Sequence, residues 1–126
     1  MNIKKYFVFG FFTLFLSFSV YAKDGKTCSK RQYEGVNGFE TCIYIGKSLS
    51  QAYAQAVKEN KVDALRKQLP KQNLSYKIEE PYADIAYQWL GPKKLRILIG
   101  DEMADSRWTL TETSSGTKIV FYDFAP

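Results

Sequence analysis

One helical stretch, from about residue 48 to residue 69, divides this chain and limits the folds that the remainder can adopt. Ser48 and Gln51 at its start have the spacing of a capping box, in which each side chain satisfies a free backbone N–H of the other residue. Apolar residues then recur at helical spacing along one stripe. These residues are Leu49, Ala52, Tyr53, Ala56 and Val57. The alanines of this stripe allow the helix to lie close to the surface on which it packs.

A second apolar stripe, formed by Val62, Leu65 and Leu69, follows the first. At about 100° per residue it lies roughly opposite the first stripe, so a single straight helix would be covered on both sides. Asn60 belongs to the residue types that cap helices, and Pro70 is expected to end a helix that reaches it. The sequence therefore predicts one helix that breaks near Asn60, or two consecutive helices, over about residues 48–69.

Strand-like segments follow the helical stretch almost without interruption. There are five of them, and apolar and polar residues alternate in the first four, whereas the last is apolar on both faces. They begin at about Leu74, Tyr82, Lys94, Arg107 and Thr117. Turns rich in glycine, proline and serine separate them, and such short connections favour antiparallel neighbours. The sequence therefore predicts an α+β fold in which one or two helices pack on an antiparallel β-meander of four or five strands. This helix-gripped sheet resembles a cystatin-like arrangement at the level of fold only, and that likeness carries no function.

Residues 1–22 have the pattern of a secretory signal peptide. Lys4 and Lys5 precede an apolar segment, and Val20 and Ala22 occupy the two positions that signal peptidase reads. An uncleaved membrane anchor is disfavoured, because the apolar segment is shorter than the ~20 residues that a spanning helix needs. We expect cleavage after Ala22 and a single mature α+β domain of residues 23–126. This domain is expected to be periplasmic or secreted, without stable membrane insertion.

Removal of the signal peptide changes the charge of the chain. It takes away two lysines and no acidic residue, so the formal net charge falls from +5 to about +3. A net charge of this size is weak support for a nucleic-acid partner, and export makes such a partner less expected still. We therefore expect that the protein does not bind nucleic acid.

Cys28 and Cys42 are the two cysteines of the chain, and in an oxidising compartment we expect them to form a disulfide. Asn37 and Gly38 between them are a strong signal for a two-residue hairpin turn. A turn at that place would leave Cys28 about 16 Å from the position opposite Cys42, beyond the ~7 Å limit for a bridge. A loop centred on Gly35 places the two cysteines opposite each other. We give the disulfide priority and predict that loop.

Residues 33–38 then become a surface loop that the disulfide holds in place. The loop contains Tyr33, Glu34 and Asn37, which are polar or aromatic and are candidate partner-binding residues. Loops on a rigid scaffold often carry binding residues, although an ordinary connecting loop is the simpler interpretation. Closing a loop this short is expected to stabilise the fold by ~3 kcal/mol on the entropic model of disulfides.

The chain has no histidine, which removes Ser-His-Asp and Cys-His sites, the usual zinc sites and the commonest general base. The expected disulfide removes a thiolate nucleophile. Asp101, Glu102 and Asp105 form an acidic cluster whose spacing matches no known calcium loop, so a solvated turn is favoured over a metal site. We therefore expect no enzymatic activity, no metal and no cofactor.

Four cations, Lys94, Arg96, Arg107 and Lys118, fall on polar positions of three strands. If these strands are neighbours, the cations share the wet face of the sheet and are able to bind a protein partner with an acidic surface. An ordinary solvated sheet face is the competing interpretation. The sequence thus indicates an exported, non-enzymatic binding protein of inhibitor or immunity type. A carrier of a small hydrophobic or anionic ligand and an envelope assembly factor are the alternatives.

Overall fold

The computed structural model describes residues 25–101 and 105–124. The predicted signal peptide of residues 1–22 lies outside these ranges. The described residues form one eight-stranded sheet and one helix. The strands are β1 (Lys26–Cys28), β2 (Gln32–Glu34), β3 (Asn37–Ile45), β4 (Leu74–Glu79), β5 (Tyr82–Gly91), β6 (Lys94–Asp101), β7 (Asp105–Thr113) and β8 (Gly116–Phe124), and the helix is α1 (Leu49–Asn60). Among the described residues, no helix has the length and apolar character needed to cross a membrane.

The sheet runs in the order β1, β3, β8, β7, β6, β5, β4, and β2 also pairs with β3. All of these pairings are antiparallel. Strands β4 to β8 form a five-stranded meander, so the prediction of an α+β fold with a helix on an antiparallel meander is confirmed. The pairing of β3 with β8 was not predicted, and it joins the segment before α1 to the last strand of the meander.

The predicted capping box is present at the start of α1. The backbone N–H of Gln51 donates to the Ser48 hydroxyl at 3.2 Å, and the backbone N–H of Ser48 donates to the Gln51 side chain at 3.0 Å. The helix ends where Lys61 adopts a left-handed conformation with φ of 54°. The Asn60 amide donates to the carbonyl of Ala56 at 2.8 Å, within the last turn of α1. Since this side chain closes α1, it does not cap a second helix.

The helix therefore ends at Asn60, where the sequence predicts a break, but the second helix that the sequence allowed after it does not form. Residues 61–73 follow an irregular path, yet Leu65 of the second stripe is only 4% exposed. Tyrosine hydroxyls hold this segment against the core: Tyr76 donates to the carbonyl of Ala64 at 2.6 Å, and Tyr87 accepts from the backbone N–H of Arg66 at 2.9 Å. These hydrogen bonds replace the backbone bonds that a helix would have made.

The core lies between α1 and one face of the sheet. Ala52, Tyr53 and Ala56 of α1 are fully buried against it. The sheet contributes alternate residues of every long strand of the meander and of β3. The largest of these are Tyr44, Ile85, Tyr87, Leu95, Ile97, Trp108, Leu110 and Ile119. We call this side of the sheet the inner face and the opposite side the outer face.

The disulfide between Cys28 and Cys42 is present, and the two residues lie opposite each other in the pairing of β1 with β3. The turn between β2 and β3 contains Gly35 and Val36, and Gly35 has a φ of 64°, as a left-handed turn position requires. The prediction that the loop is centred near Gly35 rather than on Asn37-Gly38 is confirmed.

The predicted extent of that loop, residues 33–38, is wrong. Tyr33 pairs with Gly38, and Glu34 pairs with Asn37, so the loop is only two residues long. Three residues, 29–31, lie opposite only two residues of β3, 40–41, so the register shifts by one residue between β1 and β2. This shift allows both the tight turn and the disulfide. Ser29 satisfies the backbone there, since its hydroxyl accepts from the N–H of Thr41 at 3.2 Å.

Candidate partner-binding face

The strand register brings the four predicted cations to the outer face. Lys94 lies opposite Thr111, which lies opposite Lys118, so these two lysines flank a threonine across three adjacent strands. Arg96 lies opposite Thr109 of β7, and Leu98 of β6 lies opposite Arg107. Lys94 and Lys118 are exposed, whereas Arg96 and Arg107 are half-buried. The expected basic surface is therefore exposed at the two lysines and only partly open to solvent at the two arginines.

The two arginines turn away from each other. Arg96 donates from Nε to the side-chain oxygen of Gln88 on β5 at 2.9 Å. Arg107 lies over the rings of Tyr122 and Phe124 on β8, with its guanidinium carbon 4.5 Å and 5.2 Å from the two ring centroids. The four cations therefore do not form one continuous cluster, which differs from the expectation of a uniform basic surface.

An aromatic ladder crosses the outer face on β3 and β8. The ring of Tyr122 stacks on Phe39 with centroids 5.1 Å apart and on Phe124 with centroids 5.9 Å apart. Arg107 covers two of these three rings, and its Nε is buried without a hydrogen-bond partner among the residues that the structure describes. The sequence indicates this ladder only through the last strand, where apolar or aromatic residues occur on both faces.

A groove of ≈ 630 Å³ lies beside the ladder on the outer face. Its floor contains small residues on three adjacent strands, namely Ser75, Ala86 and Gly100. Phe124 and Leu98 provide apolar walls. A Cβ atom at Gly100 would lie 3.2 Å from the Asp105 carboxylate, so the missing side chain leaves this part of the groove open. Sequence reasoning missed the groove, because it depends on the register that aligns these small residues.

Acidic groups border the end of the groove away from the lysines. Asp84 and Asp105 lie on either side of Gly100 in the strand register. Asp84 accepts from the Tyr82 hydroxyl, which raises the pKa of Tyr82, and it lies 3.8 Å from the Lys77 ammonium. The outer face therefore carries both signs of charge, with Asp84, Asp105 and the paired Lys77 at one end and Lys94 and Lys118 at the other.

The predicted acidic cluster is divided by the strand boundaries. Asp101 ends β6 and Asp105 begins β7, while Glu102 lies outside the described residues. Within residues 25–101 and 105–124, no group of three or more carboxylate, histidine or cysteine side chains has the arrangement of a metal site.

The candidate residues Tyr33, Glu34 and Asn37 lie in the β2–β3 hairpin, which adjoins the aromatic ladder because Gly38 and Phe39 pair with Asp123 and Tyr122 of β8. Tyr33 is 66% exposed. By the alternation of the strand, Glu34 and Asn37 belong to the outer side and Tyr33 to the opposite side. The structure therefore brings Glu34 and Asn37 to the ladder end of the outer face, away from Lys94 and Lys118, and leaves Tyr33 on the opposite side.

Arg31 ties the hairpin region to β8. Its guanidinium pairs with Asp123 at 2.6 Å, and this hydrogen bond raises the pKa of Arg31. The same guanidinium lies 5.7 Å from the ring centroid of Tyr33. Since both charged groups are well exposed, the pair orients the hairpin more than it stabilises the fold.

Comparison of the chain with protein-family models, with curated proteins and with solved structures finds no match. The geometry of the outer face is therefore the basis for the function proposed below.

Proposed function

We propose that this protein is an exported, non-enzymatic binding protein, of inhibitor or immunity type, that binds another protein through the outer face of its sheet. The observation that carries the proposal is the aromatic ladder with Arg107 stacked on it, beside a groove with apolar walls on an exposed sheet. Aromatic residues and arginine are enriched at the centres of protein–protein interfaces, where they supply most of the binding energy.

The rigidity of this face supports the same proposal. The outer face belongs to a single sheet whose inner face is packed against α1, and a disulfide links β1 to β3 at one edge. A preorganised surface loses little conformational entropy on binding. A disulfide fits an oxidising compartment, in agreement with the proposed periplasmic or secreted location.

The packing of α1 disfavours the carrier alternative. Ala52, Tyr53 and Ala56 are fully buried where α1 meets the sheet, so side chains fill the space in which a carrier of this architecture would hold its ligand. We propose a cystatin-like arrangement as a likeness of fold only, and it implies no function. The absence of histidine from the chain supports a function that needs no general base.

The partner is proposed to have an acidic surface that meets Lys94 and Lys118, the exposed lysines at the end of the outer face away from Asp84 and Asp105. Exposed cations accelerate association with an acidic surface, and salt weakens the effect. Arginine is also able to hold a carboxylate through two parallel hydrogen bonds.

The experiment compares partner binding by the wild type with that of the double variant Arg96→Gln/Arg107→Gln. The partner is first isolated from the host envelope with tagged protein and identified as a stoichiometric complex by native mass spectrometry. We expect the double variant to bind this partner about tenfold more weakly at low salt, or ~1.4 kcal/mol.

The control variant Lys67→Gln/Lys71→Gln removes two charges from the exposed segment after α1 and should bind as tightly as the wild type. Equal affinity of the wild type and the arginine double variant would contradict binding through the outer face. A bound small molecule in place of a protein partner would favour the carrier.

A further inference from the structure

The groove and Arg107 form a combined site, and the inference drawn from it rests on the proposed function. Phe124 belongs to both features, because it provides a wall of the groove and a ring against which Arg107 stacks. Leu98, another wall residue, lies directly opposite Arg107 in the register of β6 and β7. Arg107 is not itself a lining residue, but it lies next to two residues that are, so the cation and the groove are neighbours on the outer face.

The groove is suited to an apolar side chain. Its ≈ 630 Å³ falls within the range of about 300–1,000 Å³ that is typical of ligand sites. The floor of Ser75, Ala86 and Gly100 lies below walls of longer side chains. An apolar group that enters the groove removes the exposed parts of Leu98 and Phe124 from water, which is favourable at about 25 cal/mol per Å² of apolar area.

Arg107 is suited to a carboxylate. Its stacking on Tyr122 and Phe124 fixes the plane of the guanidinium before any partner arrives, so little side-chain entropy is lost on binding. Nε is buried and without a hydrogen-bond partner in the described part of the chain. Arg107 is only half-buried, so a carboxylate that approaches its open side is able to pair with the terminal nitrogens of the guanidinium.

The charges around the groove favour a protein segment as the occupant. Asp84 and Asp105 border one end, where Lys77 pairs with Asp84, whereas Arg107 lies towards the other, cationic end. A polyanion such as a nucleic acid, or an anionic membrane surface, would meet the two carboxylates as well as the cations. A short protein segment is able to place a single acid at the cationic end and leave the other end neutral or basic.

We infer that the groove binds an apolar side chain of the partner protein, while an acidic side chain close to it in the same segment pairs with Arg107. The partner class is thus a protein with an exposed apolar residue next to Asp or Glu. Complementary charge at the two ends of the groove sets the direction in which the segment lies.

A library of random linear peptides, displayed on phage and selected on the oxidised mature protein, tests this inference without knowledge of the partner. We expect the enriched peptides to contain an aromatic or aliphatic residue within a few positions of Asp or Glu. A synthetic peptide with Asn or Gln in place of that acid should bind about tenfold more weakly. The Arg107 Nε–H resonance should shift when the acidic peptide is added.

Two variants fill the groove, and one matched variant leaves it open. Ala86→Trp and Ser75→Trp place an indole on the floor, at a central strand and at the edge strand respectively, and both should reduce peptide binding at least tenfold. Ala54→Trp makes the same type of change on the exposed side of α1 and should not reduce it. Circular dichroism identifies any variant that fails to fold, and the edge-strand variant then replaces the central one.

The inference is overturned if no peptide is enriched, if the acid and amide peptides bind equally, or if both groove-filling variants bind like the wild type. Loss of binding in Ala54→Trp alone would place the site beside α1 and also overturn it. The proposed function fails separately. If the isolated protein partner depends on Arg96 and Arg107 but tolerates tryptophan in the groove, the outer face still binds protein, and only the present inference is lost.

Discussion

Tyr87 brings a hydrogen-bonded hydroxyl into the core. Its hydroxyl accepts from the backbone N–H of Arg66 at 2.9 Å and shares a hydrogen bond with the Tyr53 hydroxyl. In Tyr87→Phe the N–H of Arg66 loses this partner in a part-buried site, so we expect a loss of about 1–3 kcal/mol in the free energy of unfolding. Urea denaturation measures it. Tyr33→Phe removes an exposed hydroxyl and should change stability by less than about 0.5 kcal/mol. Equal midpoints for the two variants would contradict the role of Tyr87.

The same group of tyrosines predicts the behaviour of the fold in alkali. Burial raises the pKa of Tyr53, and burial together with Tyr87 raises the pKa of Tyr76 to about 12. Since the folded state favours the neutral phenol, this stability is present below pH 10.0, the ordinary value, and is lost as the pH rises through the raised value. We expect phenolate absorbance to rise in two stages, the second coinciding with loss of circular dichroism. A single stage near the ordinary value in folded protein would contradict this.

The sequence predicted which residues face the core but not what the outward residues contact. Alternation places Arg107 on the outer face, because Trp108 and Leu110 need burial. Alternation does not determine the rotamer, so the stacking of Arg107 on Tyr122 depends on the pairing of β7 with β8. The sequence therefore predicted an exposed cation at Arg107, whereas the structure has a half-buried arginine stacked on aromatic rings. The same limit applies to Asn60, whose capping ability was used within α1 rather than after it.

At the scale of the elements, the disulfide fixes the edge formed by β1, β2 and β3. The bridged residues are separated by 14 positions, so the entropic model gives a stabilisation of about 3 kcal/mol. We expect Cys28→Ser/Cys42→Ser to lose about this amount in urea denaturation. Thiol labelling of protein from its export compartment should give no signal before a reductant is added. Full labelling of the folded protein would refute the bridge in the native state.

The junction of β3 with β8 depends on a glycine. Gly116 has a φ of 146°, and a Cβ atom there would lie 2.3 Å from the carbonyl oxygen of Tyr44. Gly46 also has a positive φ, of 71°, but has open space around its missing Cβ. We expect Gly46→Ala to cost about 1–2 kcal/mol from backbone strain alone. Gly116→Ala should cost clearly more, because β3 and β8 must also move apart. Equal thermal denaturation midpoints for the two variants would contradict the close approach.

The meander was predictable because its strands each have one buried side and are joined to one another by short turns. β4 shows this pattern, with Leu74, Tyr76 and Ile78 alternating with exposed residues. The pairing of β3 with β8 was not predictable in this way. β8 carries apolar residues on both faces, and no turn connects it to β3. The groove was missed for the same reason, since Ala86 and Gly100 meet only through the register of β5 and β6.

At the scale of the whole molecule, β8 is the strand that unites the sheet. It lies between β3 and β7, and its inner residues Ile119 and Thr117 are fully buried. We expect a chain that ends after Ser115 to lack a cooperative unfolding transition, because both the β3 edge and the β7 edge would expose core residues. A chain that begins at Arg31, with Cys42→Ala, removes only the edge strand β1 and should still fold, although less stably. Native-like melting of the first chain would contradict this prediction.

The position of β8 also sets the order in which the protein matures. A polypeptide that leaves a ribosome or a translocation channel with its N-terminus first presents β3 and α1 long before their partner strand emerges. Strands that are far apart in sequence pair slowly, because the entropy lost in closing the long loop between them comes before the contacts that stabilise the pair. Cys28 and Cys42 are close in sequence and need no other strand to meet. We therefore expect the covalent bond to form first, on a chain that is still open, and the binding face to appear only with the final residues of β8.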